Sequence, residues 1–70
     1  MKRIDDDTLV LEGPGITLWE TVVRIKQNKL GKYVVVSSYE SPMSIGKQEI
    51  LGVYDDHSKA KEVLDGMDLS

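Results

Sequence analysis

Near Tyr54 the spacing of apolar positions along this chain changes from two to three-and-four, which divides the chain into a sheet and a helix. Upstream, "ITLWETVVRIKQ" (16–27) is rich in β-branched and aromatic residues. Its alternation sets Ile16, Leu18 and Val22 against Trp19, Val23 and Ile25, which predicts a strand with two apolar faces. "KYVVVSSYE" (32–40) predicts the next strand. The loop between them is "NKLG", in which Asn28 starts a turn and Gly31 takes a left-handed backbone. "QEILGVY" (48–54) predicts a third strand, after a loop "SPMSIGK" (41–47) that Pro42 keeps out of the sheet. "TLVLEG" (8–13) predicts a short additional strand, leading into a turn at "GPG" (13–15).

Past Tyr54, residues Ala60, Val63, Leu64 and Met67 stand at i, i+3, i+4 and i+7, the apolar stripe of one helix. Asp56 is placed to cap it, its carboxylate accepting from backbone N–H groups two and three residues on. Asp55 adds negative charge near the positive helix end, and Gly66 is the expected stop. The fold this predicts is α+β: an antiparallel three- to four-stranded meander with one C-terminal helix packed on one face. It forms a single small domain over residues 1–70.

The stretch "EILGVYDDHSKAKEVLDGM" resembles the tail of small uncharacterised proteins of Gram-positive bacteria and their phages. Those end in a Leu-Gly-x-Tyr strand, an acidic turn and an Ala-x-x-Val-Leu helix. The matching residues are Leu51, Gly52, Tyr54, Ala60, Val63 and Leu64, in about the last third of the chain. The resemblance implies an antiparallel sheet with one helix and a phage or prophage origin. It brings no catalytic residues with it.

Composition narrows the chemistry. With 70 residues and no cysteine, the chain has no disulfide, thiolate zinc site or thiol nucleophile. A chain this short buries about 60% of its unfolded surface, so it needs a staple, and association with another subunit is the one left. No apolar run reaches the length of a signal peptide or a membrane span, so a cytoplasmic location without membrane contact is expected. The net charge of −3 is uneven, with acidic ends flanking a basic middle.

Groupings that look catalytic read better as structure. In Asp55-Asp56-His57 the chain's one histidine follows two carboxylates, but neighbouring side chains at a helix start diverge. The segment is a helix start. Asp5-Asp6-Asp7 is an acidic run whose side chains alternate in direction, so a solvated run is expected there instead of a metal cluster. "GPG" lacks the Lys-Ser/Thr pair and following helix of a phosphate loop. The serines at 37, 38, 41, 44 and 58 have no base in sequence context. No catalytic residue, cofactor or metal ligand is assigned, and the chain is read as not an enzyme.

Two binding readings remain. Arg24, Lys26, Lys29 and Lys32 lie on one hairpin and suit nucleic-acid phosphates. An acidic C-terminal third built on Asp55, Asp56, Glu62, Asp65 and Asp68 suggests a weaker alternative, a mimic of DNA phosphates. The favoured reading comes from packing. Val34-Val35-Val36 makes both faces of its strand apolar, yet one helix covers one face. With Val34 and Val36 assigned to the helix side, Leu18, Val22, Tyr33 and Val35 are expected to form an interface. The expected protein is therefore a non-enzymatic homo-oligomer, a dimer first, working as a phage or prophage accessory factor that binds or inhibits a host component. The alternatives are a nucleic-acid-binding module and a small-ligand-sequestering protein with a pocket at Tyr33, Tyr39 and Tyr54 or between subunits.

Overall fold

The computed structural model describes residues 2–11 and 18–69. The expected "GPG" turn and the face assignment of Ile16 lie outside the described residues. Within them, β1 (Lys2–Asp5), β2 (Thr8–Leu11), β3 (Glu20–Gln27), β4 (Tyr33–Glu40) and β5 (Ile45–Tyr54) precede α1 (His57–Asp68). The strands form one antiparallel sheet in the order β1-β2-β3-β4-β5. The α+β meander with a C-terminal helix is as expected, but the sheet has five strands and not three or four.

The additional strand is β1, at the N-terminus. Lys2 and Arg3 pair with Val10 and Leu9, Asp5 pairs with Thr8, and Asp6-Asp7 makes the turn into β2. The Asp5 carboxylate accepts from the Asp7 N–H at 2.8 Å, and the Arg3 side chain donates to the carbonyls of Asp5 and Asp6. A charged, four-residue edge strand carries too few apolar positions to show a period, so the sequence hides it. The β3–β4 hairpin is as expected. The Asn28 side-chain oxygen accepts from the N–H groups of Leu30 and Lys32, and Gly31 sits at φ +80°. β5 begins at Ile45, inside the segment expected to be loop.

The helix lies across one face and packs on β2, β3, β4 and β5. Leu9, Val23, Ile25, Val35, Ala60 and Leu64 make the core, with Tyr33, Tyr54, Val63 and Met67 around it. Register explains this set. Leu9 pairs with Val23 and Ile25 with Val35, so each pair projects to the same side. Val35 is therefore 0% exposed beneath the helix, and the expectation that it points away is overturned. Val34 and Val36 take the opposite face. Three valines in a row cannot show which parity faces the helix; the Ile25 partner decides it.

Two helix-end expectations also change. Asp56 holds the N-cap position with extended backbone, and its carbonyl accepts from Lys59 and Ala60, but its carboxylate makes no capping bond. Gly66 does not stop the helix, which runs to Asp68 with Leu69 as C-cap. Ion pairs hold that last turn: Arg3 reaches Asp65 at 3.0 Å and Asp68 at 3.6 Å, and Lys61 reaches Asp65 at 3.1 Å. The hydrogen bond from Lys61, helped by Arg3, holds the Asp65 carboxyl below its usual range.

Candidate interaction surface

The sheet face opposite the helix is built from the alternate residues of every strand. Along β3 and β4 these are Val22, Arg24 and Lys26, paired with Ser38, Val36 and Val34. β5 adds Ile50 opposite Val36 and Val53 opposite Val34, while β2 adds Val10 opposite Val22. The face mixes six valine and isoleucine side chains with charged and polar ones, and its two halves are covered very differently.

On the β3 side, Arg24 and Glu40 form a two-pronged ion pair, one arm of it 2.9 Å long. Arg24 stands opposite Val36, four residues along β4 from Glu40, so the joined side chains lie flat across the row between them. That row is Val22 and Ser38, 4% and 2% exposed even though no helix covers this face. The ion pair acts as a strap over them. Ser38 accepts from Gln48 Nε2 at 3.3 Å beneath it. The hydrogen bond from Arg24 holds the Glu40 carboxyl below its usual range and raises the guanidinium in turn.

On the β4–β5 side there is no such strap. Ile50 is 66% and Val53 51% exposed, and the half-buried Val34 and Val36 lie beside them. Ile45, opposite Glu40, extends the apolar surface along β5. These side chains are neighbours across two strands, a contiguous patch of the kind that marks contact surfaces.

The expected interface of Leu18, Val22, Tyr33 and Val35 is therefore not one surface. Val35 and Tyr33 lie on the helix side, Val22 is under the strap, and Leu18 alone is widely exposed, just ahead of β3. What the sequence reading missed is Val34, Val36, Ile50 and Val53. The signal was present in Ile50 and Val53, but it cannot be read until the register shift between Val35 and Val36 is known.

The basic hairpin is dispersed as well. Arg24 reaches away from the loop to Glu40, and Lys32 pairs with Asp55 beside the helix start, where that hydrogen bond lowers the carboxyl's pKa. Lys26 and Lys29 stay exposed. His57 is a helix start, as expected, but it also binds: its Nε2 lies 2.5 Å from an Asp7 oxygen and its ring meets Tyr33 edge-on. The contact fastens the β1–β2 turn to the helix. Among the described residues no group of three or more His, Cys, Asp or Glu side chains could hold a metal ion. Trp19 stacks on Tyr39 at 4.8 Å, and a shallow depression of about 270 Å³ is lined by Thr21, Ser37, Tyr39, Lys47 and Glu49.

Fold and surface together define a two-layer α+β domain with one covered and one open sheet face. Among the described residues no helix is long and apolar enough to cross a membrane. Comparison with known proteins gives no matching family model, no matching curated protein and no matching solved structure.

Proposed function

We propose that this protein is a non-enzymatic, homo-oligomeric interaction protein that associates through the β4–β5 half of its open sheet face. The observation that carries this reading is the block of Val34, Val36, Ile50 and Val53 on the face without a helix. Apolar area removed from water contributes about 25 cal/mol per Å², and a core of this size leaves stability to be gained by association. A second copy is the partner that the charges favour. Lys26 stands at one end of this face and Glu20 at the other. A two-fold axis across the strands lays each Lys26 over the partner's Glu20, as sheets stacked face to face about 10 Å apart allow.

Resemblance of the tail to small proteins of Gram-positive bacteria and their phages supports an accessory factor that acts on a host component by contact. The nucleic-acid reading loses support because Arg24 and Lys32 are already engaged by carboxylates. Light scattering on wild type and Val53→Asp tests the proposal, since a desolvated charge in a subunit contact is costly and an exposed one is not. The wild type should show a multiple of the 7.8 kDa chain mass, and the folded variant a smaller one. Equal masses for the two folded proteins would refute it.

A further inference from the structure

β5 is an outer strand of the sheet, ten residues long and exposed over almost its whole length. Such an edge offers unpaired N–H and C=O groups to any strand that can approach, and proteins commonly guard it with charged side chains, lysine above all. This edge carries both signs. Between its two register shifts runs Gln48-Glu49-Ile50, and Lys47 lies inside the shift that separates Gln48 from Ile45. Lys47 and Glu49 line the same depression and so share a face, and among the described residues neither has an ion-pair partner.

That spacing is complementary to itself. In an antiparallel pair centred on Gln48, each Lys47 stands directly opposite the other copy's Glu49. Directly opposed unlike charges stabilise a strand pair, and like charges destabilise it. Ile45 and Leu51, both exposed, lie three residues in sequence on either side of Gln48, each across one of the register shifts. We infer that two copies of this chain join β5 to β5, antiparallel and centred on Gln48, making one sheet continuous through both. The inference rests on the self-association proposed above but uses the sheet edge, a contact separate from the face. It also sets the two Ile50 side chains on either side of the axis, which extends the apolar patch across both copies.

Charge reversal tests it, because a pairing of identical strands is restored when both charges are exchanged. Lys47→Glu opposes Glu to Glu twice, and Glu49→Lys opposes Lys to Lys twice. Each single variant should halve the mass seen by light scattering and speed amide exchange in β5. The double variant should recover both values. Single variants with unchanged mass, or a double variant as dissociated as the singles, would overturn the inference. Val53→Asp serves as the other arm, since Val53 lies outside the paired stretch. A mass lowered by Val53→Asp but not by either reversal leaves the face contact standing and removes the edge. The opposite pattern keeps the edge and removes the face.

Discussion

Val35 and Val36 are neighbours in sequence and identical in chemistry, but they face opposite sides of the sheet, so truncating each one measures the two faces separately. Val35→Ala removes two carbon atoms from a fully buried position beneath Ala60 and Leu64. At about 0.8 kcal/mol per buried methylene the transfer loss is about 1.6 kcal/mol. The hole left under the helix raises the total to about 2–3 kcal/mol. A 70-residue domain has about 4–10 kcal/mol in all, so this one change removes a large share of it. Val36→Ala, on the open face, should cost less than about 1 kcal/mol in the single chain. Urea unfolding followed by circular dichroism, at concentrations dilute enough to dissociate the protein, gives both values from the midpoints at constant slope. Equal losses, or a larger loss for Val36→Ala, would mean that the register placing Val35 under the helix is wrong.

Three further outcomes follow from individual contacts. Gly66→Ala should stabilise by about 0.5–1 kcal/mol and raise the melting temperature by several degrees, because Gly66 is helical and a Cβ there meets nothing within 4 Å; a lower melting temperature would show that the last turn is not helical. The Arg24–Glu40 strap should contribute fully at neutral pH. Because Glu40 is held below its ordinary value of 4.5, that contribution disappears as pH falls through the lowered value, and Glu40→Gln should flatten this part of the acid-unfolding curve. His57→Ala should cost about 1 kcal/mol through loss of the Asp7 and Tyr33 contacts, and calorimetry at neutral pH that found no change would remove the clasp between turn and helix.

How much the sequence showed depended on how local each determinant was. The β3–β4 hairpin is set by Asn28 and Gly31 within four residues, and the helix by a stripe within eight, so both could be read directly. β1 and the early start of β5 are pairing decisions. Lys2-Arg3-Ile4-Asp5 becomes a strand because Leu9 and Val10 lie opposite, and nothing in those four residues announces it. The face of Val35 depends on Ile25 across the hairpin, and the strap depends on Glu40, sixteen residues from Arg24. The candidate surface fell in this second class. Its sequence form was a correct count, one helix for two apolar faces, attached to the wrong parity.

Sedimentation equilibrium of the unmodified protein over a wide concentration range tests self-association most directly. The account predicts a weight-average mass that rises with concentration from 7.8 kDa toward a multiple of it. A mass that stays at a single chain up to the highest soluble concentration would contradict it.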